Sequence, residues 1–397
     1  MLATSASAQW TQWGGPRRDF VVPEVALAKR WKGDEPRVVW EHELGNGNAS
    51  LVVHAGLVFA IHGEGKTETV SCFDAASGKQ QWSRSYDVSY EAYWEANGGP
   101  HSTPLAVGDS LFTVSIDAKL HAFDIKDGTV RWMRDLVLEF DCDLPQSGYA
   151  ASPIAWGELV ILPGLGAPGF GAIALRQENG EVAWARHAFL SSHASPILIE
   201  TSGIEHLVFH GMNRLVGLEP STGDLMWSKR LRSDAVDNVV FSPVWDAKRQ
   251  LILVSHAYDR NGARALKLSR SEGEWRCEQA WSNRRLSVEH SNGVRFQDTL
   301  ISSDGGDPAF TVAIELDSGK SRFKQRGLGK ANFLVAGETL IVLEENGTLH
   351  LAELGESGLE ILASRTIMKD NAWAAPILVG KRLYLRDRFD IRVIELP

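Results

Sequence analysis

Three cysteines among 397 residues are too few, and too far apart, for several kinds of site. Cys72, Cys142 and Cys277 show no C-x-x-C spacing, which excludes a metal knuckle or a haem attachment segment formed by local sequence. An odd number leaves at least one thiol unpaired in a monomer. We interpret Cys72, which stands in a predicted strand, as a buried free thiol.

Long apolar runs, long helical periodicity and an excess of positive charge are also missing. No stretch approaches the roughly 18 consecutive apolar residues of a membrane span, so we predict no transmembrane segment. The absence of heptads and of long 3.6-residue periods excludes a coiled coil. A net charge of −9, with a pI near 5.8, argues against nucleic acid as a partner, because phosphate neutralisation needs clustered Lys and Arg.

Glycine, with 37 residues, and tryptophan, with 14, are abundant and recur in a fixed pattern. The pattern is a strand, a tight turn, and a second strand that carries an aromatic residue four positions after a Gly. An Asp at the turn can accept backbone N–H bonds, and the Gly supplies a positive φ. The copies are Asp74…Gly78…Trp82, Asp124…Gly128…Trp132, Leu175…Gly180…Trp184, Leu218…Gly223…Trp227, Ile314…Gly319…Phe323 and the worn Glu353…Gly358…Leu362.

The spacing of these copies predicts the fold. Trp82, Trp132, Trp184 and Trp227 stand 50, 52 and 43 residues apart. A period of roughly 40–50 residues with several short strands per unit is typical of a propeller blade. A further copy lies near Leu268 and Gly273, where either Cys277 or Trp281 fills the aromatic position.

Each unit opens with a small polar residue, usually followed by Pro, and an apolar run. The openings are Ser50-Leu51, Thr103-Pro104, Ser152-Pro153, Ser195-Pro196, Ser242-Pro243, Asn292-Gly293, Asn332-Phe333 and Ala375-Pro376. Eight openings predict an all-β, eight-bladed propeller of four-stranded antiparallel blades. The predicted blades span residues 48–87, 101–138, 150–190, 193–231, 240–286, 290–327, 330–366, and 373–397 together with 36–46.

The two ends of the chain supply parts of one blade. Residues 36–46 resemble a fourth strand with no blade before it, and residues 373–397 supply three strands without a fourth. We therefore predict that these segments pair and close the ring, which removes an exposed sheet edge. We expect residues 1–397 to form a single domain. Residues 1–35 are an N-terminal extension that packs on the outside or the floor of that domain.

The Asp-to-Gly turns, the Ser-Pro openings and the eight-fold count resemble the pyrroloquinoline-quinone (PQQ) type of β-propeller repeat. That superfamily includes quinoprotein alcohol dehydrogenases and the propeller lipoprotein of outer-membrane protein assembly. The segment from Trp10 to Asp19 is also similar to the Trp-x-x-Phe-Arg-Gly-Pro-x-Arg opening of many exported bacterial members. The resemblance covers the whole chain and implies the fold, whereas one fold hosts many kinds of site.

The chain departs from the quinoprotein dehydrogenases of that superfamily. They commonly carry an adjacent Cys-Cys pair against the quinone, and a calcium ion beside a catalytic Asp. Neither feature is matched by this sequence. We assign no catalytic residue and no metal ligand. We expect a non-catalytic scaffold, monomeric, that binds a protein, peptide or glycan without a cofactor. The alternative is a PQQ- and calcium-dependent oxidoreductase.

Alignment on the openings indicates where a ligand would bind. The position two residues before each opening enters one face of the ring, and three of the eight residues there are His. The longest insertion, residues 86–100, belongs to the same face, and long loops are often functional. We predict ligand contacts from Asn48, His101, His193, His290, Lys330, Trp373, Tyr93 and Glu95.

Two interpretations of these histidines remain open. In the first, they line a funnel mouth that binds a ligand, as imidazoles often do. In the second, they cap inner strands and bond to carbonyls of a neighbouring blade. Loops between the second and third strands add His62, His210 and His256 to the set.

The first residues bear on location. Ala6-Ser7-Ala8-Gln9 resembles the end of a signal-peptide cleavage site, although no apolar stretch precedes it. One explanation is that Met1 is a late start, and the other is a frayed, small-residue terminus. With the first, we expect a periplasmic or secreted protein.

Overall fold

The computed structural model describes residues 9–22, 25, 27, 31, 36–90, 98–145, 147–167, 169–190, 192–232, 239–257 and 262–396. These residues form eight antiparallel four-stranded sheets, and one of the sheets gains a fifth, parallel strand. The sheets are the blades of a propeller, so the predicted all-β, eight-bladed fold is confirmed. Within the described residues one short α-helix, Leu136–Phe140, follows blade two, and no helix is long and apolar enough to cross a membrane.

The first four blades follow one another along the chain. Their strands are Val52–His54, Leu57–Glu64, Thr67–Asp74 and Gln80–Asp87 in blade one; Leu105–Val107, Ser110–Val114, Lys119–Asp124 and Val130–Asp135 in blade two; Ile154–Trp156, Leu159–Ala167, Phe170–Arg176 and Val182–Arg186 in blade three; and Ile197–Thr201, Ile204–His210, Arg214–Leu218 and Leu225–Arg230 in blade four.

The remaining blades keep the same order. Their strands are Val244–Asp246, Leu251–Val254, Ala263–Ser271 and Glu274–Asn283 in blade five; Val294–Phe296, Thr299–Ser303, Thr311–Glu315 and Ser321–Gln325 in blade six; Ala331–Ala336, Thr339–Glu344, Thr348–Leu354 and Leu359–Thr366 in blade seven, with Val21–Val22 added; and Ile377–Val379, Arg382–Arg386, Asp390–Glu395 and Arg37–Glu43 in blade eight.

The first strand of each blade faces the central axis. First strands of neighbouring blades contact one another at several points of the ring, as between blades one and two and between blades five and six. Residues at the start of these strands therefore surround one mouth of the channel, and this arrangement positions the candidate site.

Blade eight closes the ring in the predicted way. Strand Arg37–Glu43 pairs antiparallel with strand Asp390–Glu395, so that Trp40 lies opposite Val393. Because the fourth strand comes from the N-terminal side and the other three from the C-terminal end, the ring is fastened by backbone hydrogen bonds. The predicted pairing of the two segments is confirmed.

The repeated Trp and Gly hold adjacent blades together. The indole Nε1 of Trp82 donates to the Ile125 carbonyl of the next blade at 2.9 Å. Gly128 of that blade has φ +72°, and a Cβ there would lie 2.5 Å from the Trp82 ring. A side chain at this turn would therefore both strain the backbone and displace the indole. The same indole-to-carbonyl bond joins Trp40 to Ala75, Trp132 to Gln177, Trp184 to Pro220 and Trp281 to Leu316.

The structure resolves the ambiguity in blade five. Trp281 lies opposite Ala265 next to the strand irregularity, as Trp184 lies opposite Ala174 in blade three. Cys277 stands four residues earlier, opposite Leu268, and is buried. Trp281 is therefore the aromatic residue of this repeat.

Residues 9–22 of the N-terminal extension cross the central channel, and we call this segment the plug. Trp10 exchanges backbone hydrogen bonds with Val53 of blade one. The side chain of Arg18 donates to the Pro153 carbonyl of blade three at 2.9 Å. Strand Val21–Val22 pairs with the first strand of blade seven. A segment that touches first strands on opposite sides of the ring must span the channel, so it forms the floor.

Candidate functional site

A cavity of about 280 Å³ lies at the mouth of the channel above the plug, and we call it the mouth cavity. This volume is near the lower limit of small-molecule sites, which enclose roughly 300–1,000 Å³. The lining includes all eight strand openings and most of the residues two positions before them. The lining residues are Trp13, Asn48, Ser50, His101, Thr103, Ser147, Ala150, Ser152, His193, Ser195, Val240, Ser242, Glu289, His290, Ser291, Asn292, Asn332, Trp373, Ala374 and Ala375.

The structure brings together five of the eight residues predicted for the site. They are Asn48, His101, His193, His290 and Trp373. A shared offset from the strand opening places them at one height, because each blade repeats the same geometry. Their role in ligand binding remains a prediction.

The other three predicted residues are placed differently. Lys330 does not line the cavity, but its ammonium donates to a carboxylate oxygen of Glu289, which does, at 2.8 Å. Lys330 therefore reaches the site through Glu289. Tyr93 and Glu95 lie outside the described residues.

Seven of the eight opening residues are polar and form a belt around the cavity; the eighth is Ala375. In blades one to four, the backbone N–H of each opening residue donates to the hydroxyl of the next blade's opening residue. These bonds run from Ser50 to Thr103 (3.0 Å), Thr103 to Ser152 (3.0 Å), Ser152 to Ser195 (2.9 Å) and Ser195 to Ser242 (2.9 Å). The small polar residue before Pro is thus required by the contact between blades.

Amide side chains continue the belt in blades six and seven. The Asn292 amide both donates to and accepts from the backbone of Phe333, each at 2.8 Å. The Asn332 amide accepts from the Asn292 N–H at 3.1 Å and donates to the Trp373 carbonyl at 2.8 Å. Both amides are therefore occupied by neighbouring blades, whereas a hydroxyl that accepts one N–H keeps its own proton.

Aromatic and charged residues of blades six and eight form one wall of the cavity: Glu289, His290 and Trp373. The rings of His290 and Trp373 are stacked, with centroids 4.9 Å apart and planes 2° apart. The Trp373 indole donates to Glu345 at 3.2 Å. This stack fixes both rings, which favours a preorganised binding surface.

The carboxylate of Glu289, which lines the cavity, is paired with the ammonium of Lys330. Burial lowers the pKa of His290, and the nearby Glu289 opposes that shift. Burial alone would lower the pKa of Lys330, but its hydrogen bond to Glu289 and the charges of Glu289 and Glu345 raise it. At neutral pH the site therefore holds a Lys330–Glu289 ion pair.

Two histidines of the other loop set are structural. His62 accepts the Gly45 N–H at 3.1 Å and bonds to Ser71 at 3.0 Å. His210 bonds to the Phe241 carbonyl of the next blade at 2.9 Å. Burial lowers the pKa of each to about 4. These two follow the strand-capping interpretation, whereas His101, His193 and His290 line the cavity.

The donor set at the cavity does not fit calcium and PQQ. Calcium takes six to eight oxygen ligands, yet Glu289 is the one carboxylate among the described lining residues, and Lys330 already holds it. No group of three or more metal-ligating side chains occurs in the described part of the chain. None of the three cysteines lines the cavity. We therefore derive no step through a quinone.

Sequence reasoning missed three parts of this site. The sequence predicts that the N-terminal extension packs on the domain, but only the path of the plug brings Trp13 to the cavity. Glu289 directly precedes His290, and that adjacency was the available signal. The opening hydroxyls were recognised as repeat markers, while their convergence on the axis depends on ring closure.

Fold and mouth together define the chain as an eight-bladed propeller of the PQQ repeat type. The profile of the family described as outer membrane protein assembly factor BamB matches residues 29–134 and 66–286, more than half of the chain. The chain belongs to that family. No curated protein matches the sequence.

Solved structures share the fold at low identity. BamB from Moraxella catarrhalis is 15% identical with a TM-score of 0.63, and the match covers 90% of this chain and 97% of that one. The quinohemoprotein alcohol dehydrogenase from Comamonas testosteroni is 11% identical with a TM-score of 0.53, covering 99% and 81%. The computationally designed Ika8 protein is 10% identical with a TM-score of 0.59, covering 91% and 100%. At these identities the likeness concerns the fold alone.

Proposed function

We propose that this protein is an exported, non-catalytic β-propeller scaffold that binds a ligand or partner at the mouth cavity. The observation that carries the proposal is that side chains from all eight blades and the plug meet at one cavity. One blind cavity, closed below by the plug, gathers Trp13, Trp373, three histidines and the opening hydroxyls. The family's description as an assembly factor supports a binding role rather than a catalytic one.

Rigidity supports the same proposal. Most of the lining residues directly precede first strands, and the N–H to hydroxyl bonds of the belt tie these openings to one another. A site held by such bonds loses little conformational entropy when a ligand binds. A scaffold of this kind recognises a ligand without closing around it.

Size and charge limit the ligand. A cavity of about 280 Å³ accepts one side chain of a protein or peptide, or one ring of a glycan, rather than a folded segment. A net charge of −9 disfavours nucleic acid. We therefore retain protein, peptide and glycan as ligand classes, and a monomer as the acting form.

Export agrees with the cysteine chemistry. Burial raises the pKa of Cys72 and of Cys277 to about 12, and that of Cys142 to about 11. Thiols with such pKa values contain little thiolate at neutral pH and react slowly. Three unpaired cysteines are thus tolerated in an oxidising compartment. Fractionation of cells should place the protein in the envelope or medium, and a purely cytoplasmic pool would contradict export.

Photo-cross-linking in living cells tests the binding site. A photoreactive phenylalanine analogue replaces Ser147 at the cavity in one variant, and Val182 on the outer strand of blade three in a matched control. We expect a discrete adduct from position 147 and none from position 182. Adducts only from position 182 would contradict the proposal.

A second experiment tests the catalytic alternative. Purified protein is mixed with PQQ and calcium, and the quinone absorbance is followed together with dye-linked oxidation of alcohols. We expect no stoichiometric complex, because the donor set at the cavity lacks the necessary oxygen ligands. A 1:1 spectral complex with alcohol oxidation would overturn the non-catalytic scaffold.

A further inference from the structure

Four hydroxyl groups of the belt keep a proton that no atom of the described residues accepts. They belong to the opening residues of blades two to five, and each accepts one backbone N–H. None of them donates to an acceptor in the described part of the chain. We call them the donor arc: Thr103, Ser152, Ser195 and Ser242.

The donor arc is buried and faces the mouth cavity. All four residues line the cavity, and none is more than 5% exposed. Buried hydroxyl groups normally have partners, so four hydroxyls beside one space, each with a proton left to donate, point to an acceptor in that space. Neighbouring hydroxyls behave differently. Ser50 donates to the Ala375 carbonyl at 2.8 Å, and Ser102 donates to the Ala151 carbonyl at 2.9 Å.

The wall opposite the donor arc is aromatic. Trp373, stacked on His290, belongs to blade eight, and Trp13 comes from the plug. Indole rings have a negative face and attract C–H groups that carry a slight positive charge. The cavity therefore combines hydroxyl donors on one side with the Trp373 indole on the other, and the Trp13 indole comes from the floor.

Charge selects between the possible acceptors. Glu289 is the one fixed charge among the described lining residues, and it is negative. Lys330, which is paired with it, does not line the cavity. No Lys or Arg is among the described lining residues, and Lys330 is already paired with Glu289, so a phosphate or carboxylate would find no free cation to offset the cost of its burial. The arrangement thus favours a neutral ligand that is rich in oxygen acceptors.

We propose that the mouth cavity binds a pyranose ring of a neutral glycan. Ring and hydroxyl oxygens accept from the donor arc, the C–H face of the sugar packs on an indole, and Glu289 accepts a sugar hydroxyl. This inference rests on the proposed binding function and names its ligand class.

Ligand-observed NMR and calorimetry test the inference with maltose, cellobiose and N,N′-diacetylchitobiose as probes. We expect saturation transfer to at least one of them. The Ser152→Ala/Ser195→Ala variant should bind that sugar at least tenfold more weakly, because two donors are lost. Ser102→Ala is the matched control, since its hydroxyl is buried and bonded but does not line the cavity. It should leave affinity unchanged.

Two further variants keep the test decisive if the double variant folds poorly. Ser195→Thr retains a hydroxyl, as Thr103 does in blade two, but adds a methyl group at the cavity, and it should weaken binding. Trp373→Ala should abolish binding. Trp156→Ala should not, because Trp156 does not line the cavity and its indole donates to Glu205 at 2.8 Å. Thermal melts report folding for each variant.

The outcomes separate the two proposals. A peptide adduct at position 147 with no sugar binding would overturn the glycan inference and leave the scaffold intact. Sugar binding that ignores every cavity variant, or tighter binding of acidic than of neutral disaccharides, would also overturn the inference. If neither an adduct nor a sugar is found at the cavity, both proposals fail.

Discussion

Replacing Trp82 by Ala tests the account of how the blades are held together. Trp82 is 7% exposed and covers Gly128 of the next blade. The centroid of its ring lies 5.9 Å from that of Phe59 and 6.4 Å from that of Phe123. Removing a buried Trp costs about 3–5 kcal/mol. Losing its 2.9 Å bond leaves the Ile125 carbonyl without its partner and adds about 1 kcal/mol.

We therefore expect Trp82→Ala to lower the free energy of unfolding by about 4–6 kcal/mol. Urea titration followed by far-ultraviolet circular dichroism measures this change without relying on Trp fluorescence. Trp156→Ala is the control, because that indole is only half-buried and bonds to Glu205. Its cost should stay below about 1.5 kcal/mol. Equal losses in the two variants, or a loss under 1 kcal/mol for Trp82→Ala, would refute the inter-blade role.

Three further predictions concern pH and ring closure. Burial raises the pKa of Glu68 to about 8. The contribution of Glu68 to stability is therefore complete below pH 4.5 and is lost as pH rises towards 8. In urea titrations, Glu68→Gln should be stabilising at pH 8.5 and not at pH 4.5. Burial lowers the pKa of His210 to about 4, so stability should fall as pH drops from 6.5 towards 4, and His210→Asn should reduce that fall in melting temperature. Deleting residues 1–46 should expose strand Asp390–Glu395 and cause aggregation, which a sizing column detects. A soluble, cooperatively folding product would contradict the role of this pairing in closing the ring.

The fold was predictable because its determinants are local and repeated. An Asp-to-Gly turn, a Trp four residues later and a Ser-Pro opening each specify one hairpin or one contact between blades, and eight copies fix the ring. Blade five shows the limit of this reasoning. There the hairpin is longer, so Cys277 keeps the usual offset while Trp281 occupies the packing position.

The site was predictable only in part. Register alone placed Asn48, His101, His193, His290 and Trp373 around one mouth, since identical offsets in a repeat reach the same height. Register does not determine how far a long side chain extends or which neighbour it meets. Lys330 accordingly turns to Glu289 instead of the cavity.

The plug depends on contacts distant in sequence. Trp13 reaches the cavity because residues 9–22 bond to first strands of blades one and seven, which are hundreds of residues apart. No local pattern encodes that path across the channel. The sequence predicts that the segment packs on the outside or the floor of the domain, and the structure places it on the floor.

A crystal structure of the protein with the best-binding neutral disaccharide tests the central claim most directly. The account predicts ordered sugar density in the mouth cavity, with oxygens within hydrogen-bond distance of the Ser152 and Ser195 hydroxyls and a ring face against Trp373 or Trp13. Sugar density on the outer rim or on the opposite face, with only water in the mouth cavity, would contradict it.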